Sequence, residues 1–549
     1  MRLSQIGVEN HSRISDLDIR VGNHLVIIGA NDVGKSSLLR LLNLLLGSST
    51  AQLYAALGKE DLRDQSKPLI VSARLVGFAD PDRTLFHREI DIDPVDKAKS
   101  LLVRLEVTID PDDEDSVVVN RWSPGRGEVR ALNREQLAAF GWRYLTASRG
   151  TSAALLDGAN GAVQVLLRAV QEDLGDERES FGNLLETFNE KLGSSEALTA
   201  LRESIAAHLS SSMPRNFQTA DLSIRTTADP DESVLENVSL YLAQPDSKFT
   251  PLSEQSDGIR QLMTMTLFDL AQGAANVIAV DEPELHLHPL SQRTVASLLQ
   301  AKTTQKILVT HSPYVVQRFD PTEVVAVSPD GRCTQIDPSK FTVNERTQAH
   351  WWSPKMLEAL TARIAILVEG VADRLVVEAA AAARSISLDQ VGAMVFELGG
   401  ADNFRTVYKL LGPEGFGVEV LGLVDDAESP AWVSAIGGKP ANVIGTTVFI
   451  SKADLEDEYC RGIGPTETAK RLMTHGVGNE RGILSSCGVS ALANINATDL
   501  AAFCRGKTGS GMSRKVPAAI AIQNTLTAAD VPNLTSISTL LDRVEDLTK

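Results

Sequence analysis

Gly29-Ala-Asn-Asp-Val-Gly-Lys-Ser36 follows the apolar run Leu25-Val-Ile-Ile28 and leads into Leu38-Leu-Arg-Leu-Leu42. The order is strand, glycine-bounded loop, helix, the context that turns a G-x-x-x-x-G-K-[ST] match into a phosphate cradle. The glycines let backbone N–H groups close on an anion, and the new helix points its positive end at the same place. Lys35 is placed to reach the β- and γ-phosphates, and the Ser36 hydroxyl to sit on Mg²⁺. Gly29, Asn31, Gly34, Lys35, Ser36 and Ser37 are the candidate nucleotide contacts.

Upstream, Leu3, Ile6 and Val8, then Ile14, Leu17, Ile19 and Val21, alternate with polar residues and predict two or three strands before the loop. Downstream, Leu38 to Leu46 reads as a buried helix ended by Gly47-Ser-Ser49. Residues 67–145 are strand-rich, and the acidic run Asp110–Asp115 reads as a solvated hairpin tip. From about 160 to 212 the period turns helical. Leu184, Phe188 and Leu192, then Leu198, Leu201, Ile205 and Leu209, give each helix one apolar stripe. Such a stripe fits a local bundle or a dimerisation arm equally well.

Asn276-Val-Ile-Ala-Val-Asp-Glu282 is a buried strand ending in two carboxylates. Asp281 is placed to hold Mg²⁺ and Glu282 to take a proton from an attacking water. Lys306-Ile-Leu-Val-Thr-His-Ser312 is a further strand whose His311 can contact a γ-phosphate. Ser256-Asp-Gly258 precedes another helix and offers a second anion-binding end. It cannot fill the same space as the first loop, so a second subunit is its natural recipient. Together these residues resemble the ABC-type ATPases of the SMC and RecF-like group. In that resemblance Gly29–Ser36 is the Walker A loop, Val277–Glu282 Walker B, His311 the switch histidine and Ser256-Asp-Gly258 the signature. It implies ATP shared across a head-to-head dimer. The signature departs from the commoner SGG, and Tyr144–Arg149 is the candidate region for a glutamine loop. His286 and His288 invite a metal reading, but Pro283 and Pro289 favour a structured loop.

After Pro354 the organisation restarts. Thr361–Asp373 reads as a strand closed by Glu369, a glycine turn and a helix start, and Val418–Glu428 and Phe449–Glu458 are further strand patterns closing in acids. Carboxylates at the ends of adjacent parallel strands converge in the crevice where α/β sheets place ligands. Hard oxygen clusters of this kind suit Mg²⁺ or Mn²⁺. The metal-ligand candidates are Glu369, Asp373, Asp425, Asp426, Glu428, Glu456 and Glu458, beside Ser36 and Asp281 at the nucleotide. The segment resembles the Toprim fold, with Glu369 as its strand-end glutamate and Asp425 as the first acid of its DxD. The second DxD position is Ala427, so Asp426 or Glu428 must substitute or one metal site is weak. Cys504–Lys515 carries four positive charges and no negative one. It suits phosphate positioning, and Lys515 is placed to stabilise charge at the scissile group.

The order, ABC-type ATPase then Toprim, is similar to the OLD (overcoming lysogenisation defect) nucleases. That resemblance implies an α/β chain with the ATPase in parts 1–158 and 216–350, a helical insertion at 159–215 and a Toprim nuclease domain at 360–549. It implies ATP, Mg²⁺ or Mn²⁺, a DNA substrate, a homodimer or larger homo-oligomer, a role against phage or foreign DNA, and a partner such as a helicase. The alternative is an ATP-gated sensor or scaffold whose Toprim fold does not cut. No motif nominates Tyr408 or Tyr459 as a topoisomerase nucleophile.

Composition sets the limits. A chain of 549 residues exceeds what one core usually organises. Its net charge of −18 argues against adhesion to nucleic acid over the whole surface, though not against a local basic groove. Cys333, Cys460, Cys487 and Cys504 form no C-x-x-C pair and read as reduced thiols. No apolar run is long enough to span a bilayer and no signal segment opens the chain, so no membrane partner and a cytoplasmic location are expected.

Overall fold

Alternation of buried and exposed residues builds the first sheet. Its strands run in the order Leu17–Arg20, Arg2–Glu9, Leu69–Val76, Lys99–Asp110, Asp113–Ser123, each antiparallel to the next. Leu69, Val71, Ala73 and Leu75 face Val107, Leu105, Val103 and Leu101 across the ladder, and none is more than 1% exposed. One buried face on an antiparallel sheet requires this period of two. The acidic run forms the turn between two of these strands, with Pro111–Asp113 exposed, as expected.

This computed structural model describes residues 1–30, 33–124, 130–145, 167, 174–203, 218–221, 235, 238, 240–243, 249–251, 254–256, 258–260, 263, 276–285, 287–300, 304–328, 330–342, 354–509 and 511–548. They divide into two compact units, Met1–Trp142 with Gln305–Lys549, and Arg143–Thr304.

In the first unit, Leu25–Gly29 is buried at every position, a continuous apolar run suited to a parallel sheet covered on both faces. It pairs in parallel with Gln305–Val309 on one side and Val324–Val327 on the other. Cys333–Gln335 adds an antiparallel edge. From that edge the Thr334 hydroxyl donates to the Phe416 carbonyl at 2.7 Å, just ahead of a strand of the next sheet.

That next sheet is wholly parallel, in the order Ala393–Glu397, Ile364–Val368, Glu419–Asp425, Val448–Ser451. Helices Val371–Ala383, Phe404–Leu411 and Ser429–Ile436 make the crossovers. The chain order is therefore 2-1-3-4. Its reversal lies between Ile364–Val368 and Glu419–Asp425, where the crevice of an open α/β sheet forms.

The second unit holds the strand Val277–Asp281 and the helices Asp176–Ser194 and Pro289–Gln300. On Asp176–Ser194 the stripe residues Leu184 and Phe188 are 64% and 50% exposed. Ile205 and Leu209 lie outside the described residues. No helix among the described residues is long and apolar enough to cross a membrane.

Candidate active site

The candidate nucleotide residues are divided between the two units. Gly29–Ser37 and His311 belong to the first, and Ser256, Gly258, Asp281 and Glu282 to the second. The loop residue Asn31 lies outside the described residues. Gly34 precedes helix Lys35–Leu46 with φ 94°, and a Cβ there would stand 3.0 Å from Ile14 Cγ1 and 3.2 Å from the Arg13 carbonyl oxygen. Only glycine meets both demands. Lys35 is 5% exposed and its Nζ donates to the Ala30 carbonyl, so the ammonium folds back over the loop. Ser36 is exposed and Ser37 half-buried.

Asp281 ends its strand 6% exposed. Burial and then the Asp281 charge push the Tyr144 hydroxyl up to about 12. Glu282 has φ 48°, a left-handed conformation that costs a non-glycine residue energy and tends to mark functional positions. His311 is exposed just beyond its strand. Ser256 is exposed, and its carbonyl accepts from Arg260 N–H at 2.9 Å as a helix begins. His288 Nδ1 accepts from Leu290 N–H at the start of helix Pro289–Gln300, at 3.4 Å. His286 and residues 146–149 lie outside the described residues.

The acidic centre sits at the reversal of the parallel sheet. Glu369 follows one central strand and Asp425 ends the other, and Val368 pairs with Leu423. The Asp425 N–H donates to Glu369 Oε1 at 3.2 Å. After Asp425 the chain turns, with Glu428 N–H donating to the Asp425 carbonyl at 3.2 Å. That turn brings Glu428 back, so that Glu369, Asp425 and Glu428 each present an oxygen within 4.8 Å of the others. Glu428, rather than its neighbour Asp426, joins the two strand-end acids.

Helix Ser429–Ile436 is held down by Trp432, which stacks on Phe404 at 3.9 Å and donates Nε1 to the Ala401 carbonyl. Gly422 makes room for the stack, since a Cβ there would stand 3.0 Å from the Trp432 ring.

Three consecutive acids follow the last strand, and their partners separate them. Glu458 accepts from Ser536 N–H and Oγ at 2.7 and 2.6 Å, which ties down helix Thr535–Thr548. Asp457 pairs with Arg461 and Thr498. Glu456 is 1% exposed, and neither carboxylate oxygen has a hydrogen-bond partner. A buried carboxylate left so is costly unless a cation meets it. Lys515 Nζ lies 3.7 Å from Glu456 Oε1, too long for a hydrogen bond. Asp373 is 5% exposed and accepts Gly370 N–H at 2.8 Å.

Electrostatics agree. Burial, then the Glu369 charge, pushes the Asp425 carboxyl up to about 8. Burial pushes Glu456 up to about 7, and raises Asp373 and Glu369. Burial works against the Lys515 charge, but Glu456, Asp373, Asp425 and Glu369 outweigh it and hold its pKa above the ordinary lysine value. Crowded, half-desolvated carboxylates are what a hard divalent cation stabilises, so these residues fit Mg²⁺ or Mn²⁺.

Sequence reasoning missed the supports, Trp432 under Glu428 and Ser536 on Glu458, and Arg505, counted among the phosphate-positioning charges, instead pairs with the helix-capping Asp454. The Gly422 interruption of an apolar strand was the one local signal, since glycine inside a strand marks close approach.

Residues 25–317 match the family described as AAA domain, putative AbiEii toxin, Type IV TA system. Residues 360–426 match the overcoming lysogenization defect protein-like TOPRIM domain. Endonuclease GajA of Bacillus cereus (strain VD045) is 20% identical over 439 residues, 73% of this chain and 71% of that protein. The C-terminal region of the Xanthomonas campestris pv. campestris OLD protein is 26% identical, covering 35% of this chain and 96% of that one, at a TM-score of 0.29. A Pyrococcus furiosus Smc head domain is 15% identical, covering 62% and 97%, at a TM-score of 0.38.

Proposed function

The chain belongs to the AAA-domain family described as putative AbiEii toxin, Type IV TA system, and carries an OLD-like TOPRIM domain after it, and from that premise we propose an ATP-binding, divalent-cation-dependent DNA endonuclease. One observation carries this reading. Glu369, Asp425 and Glu428 converge at the sheet reversal, where the buried Glu456 carboxylate has no hydrogen-bond partner. The likeness to a protein named an endonuclease supports it.

A bound Mg²⁺ or Mn²⁺ would supply a Lewis acid and an activated water at Glu369, Asp425 and Glu428. The chain's own groups do the rest. Trp432 fixes the helix that presents Glu428. Lys515 holds positive charge beside the scissile phosphate of DNA, and the basic segment leading to it, apart from the Asp454-paired Arg505, positions the backbone.

In the other domain, Gly29, Asn31, Gly34, Lys35, Ser36 and Ser37 hold ATP. Ser36 and Asp281 hold its Mg²⁺, and Glu282 and His311 serve hydrolysis. The exposed Ser256, with Gly258, closes on ATP held by a second copy, and the exposed Leu184 and Phe188 favour self-association. The role is in defence against phage or other foreign DNA, in the cytoplasm, beside a partner such as a helicase.

The test is plasmid DNA incubated with purified protein and Mg²⁺ or Mn²⁺, with and without ATP. Cleavage lost on chelation and in Glu369→Ala is expected. Absence of cleavage with every metal and nucleotide tried overturns the nuclease and leaves an ATP-gated sensor or scaffold.

A further inference from the structure

Helix Lys515–Gln523 has no polar residue between its two ends. A helix apolar all round belongs in a core. One face of it does: Ala518, Ala519, Ala521 and Ile522 are buried in the core shared with helix Val371–Ala383. The other face does not. Val516 and Ile520, one turn apart, are 37% and 42% exposed. Just ahead of the helix, Lys507 and Ser513 pair as an antiparallel bridge, and Thr508 N–H donates to the Met512 carbonyl at 2.7 Å. Beside that bridge Met512 is 67% exposed. The Arg514 guanidinium, laid over the Phe503 ring at 4.3 Å, fixes the joint between bridge and helix.

Charge and position identify the occupant of this face. From Cys504 to Gln523 the chain carries four basic residues and no acid, in a protein of net charge −18. Arg505 is taken up by Asp454, but Lys507 is exposed. Lys515, at the head of the helix, stands 3.7 Å from Glu456 Oε1, so the apolar face starts at the edge of the acidic centre. The occupant must therefore bring negative charge and apolar surface to a place beside a cation site. DNA brings both once a base step is parted, with phosphates for the basic residues and base faces for the aliphatic side chains.

We infer that Met512, Val516 and Ile520 form a wedge that parts a base step of the DNA held at Lys515. The inference deepens the nuclease reading and rests on it. The steps that part most easily, TA and CA/TG, are the ones such a wedge selects.

The test incubates the full-length protein with a linear plasmid fragment and Ca²⁺ in place of Mg²⁺, and reads unstacked thymines by permanganate oxidation. TA and CA/TG steps all contain thymine. Bound wild type should make discrete thymines reactive. Met512→Ser should lose that reactivity while still retaining the fragment on a filter, because phosphate contacts remain, and Met512→Leu should restore it. Plasmid cleavage with Mg²⁺ or Mn²⁺ should follow the same order. Cleavage by the wild type with no reactive thymine overturns the wedge and leaves the nuclease standing. Reactivity unchanged in Met512→Ser does the same. Reactivity unchanged in Ile520→Ser, with a smaller mass by light scattering, also overturns the wedge and gives the face to a second copy of the chain. A wild type that neither cuts nor retains DNA overturns the nuclease reading and the wedge together. Should Met512→Ser fail to fold, Val516→Ser provides the same reading.

Discussion

Lys35 and Lys515 each open a helix, where the dipole disfavours a positive charge, yet their surroundings are opposite. Lys35 is 5% exposed, folded onto the Ala30 carbonyl in a loop of backbone N–H groups. Lys515 faces Glu456, Asp373, Asp425 and Glu369. One end of the chain concentrates donors suited to an anion, and the other concentrates acceptors suited to a cation. The same residue in the same helical position meets opposite surroundings because of what the fold sets against it.

The two sites should therefore fail independently, and the sharpest probe is the packing beneath the acidic one. Trp432→Ala removes a ring that is 1% exposed and should destabilise the protein by about 3–5 kcal/mol, read by denaturant unfolding. Mn²⁺ affinity should fall with it because Glu428 loses its seat, while ATP affinity is retained in the folded fraction. Equal loss of both ligands would break the contrast.

Lys35→Ala tests the anion end. Loss of a hydrogen bond to a charged group is worth about 1.5–3 kcal/mol, so ATP should bind roughly 10- to 150-fold more weakly by calorimetry. The Mn²⁺ isotherm measured without nucleotide should not move. Unchanged ATP binding would show that the loop is not the cradle.

A finer comparison lies within the acidic run itself. Glu458→Gln disturbs the bonds to Ser536 and should cost about 1 kcal/mol with Mn²⁺ affinity unchanged. Glu456→Gln should stabilise the cation-free protein, since it removes a carboxylate held against its preference, and weaken Mn²⁺ binding. The reverse pattern would exchange their roles.

The last comparison is in pH. Asp425 and Glu456 have folded-state pKa values raised to about 8 and about 7. Their unfolded values lie near about 3.9 and about 4.3. In that interval the folded state binds more protons, so stability falls as pH rises. Their contribution is fully present below about pH 4 and lost by about pH 8. With EDTA, Tm should decline across this window, and with Mn²⁺, whose binding releases those protons, the decline should flatten or reverse. Asp425→Asn should remove most of the slope.

The Leu25–Gly29 strand and the helix opening at Lys35, the strand ending in Asp281 and the strand-end positions of Glu369 and Asp425 were legible in the sequence because each is local: an apolar run, then a change of residue type at its end. The matches at residues 25–317 and 360–426 agree with the predicted ATPase-then-Toprim order. The choice of Glu428 over Asp426 was not legible, because it depends on how tightly the chain turns after the strand. Nor were the fates of Glu456 and Glu458. They are two residues apart, and what separates them is Ser536, 78 residues beyond Glu458. Packing brings such partners together, and no spacing rule announces it.

The bond from Thr334 to Phe416 joins the edge of the cradle's sheet to the chain just before the strand that ends at Asp425. A β-strand scarcely stretches, and seven residues of it span about 23 Å. Glu419–Asp425 is therefore a stiff spacer, moored near its foot by the Thr334 bond and at its head by the Asp425 N–H bond to Glu369.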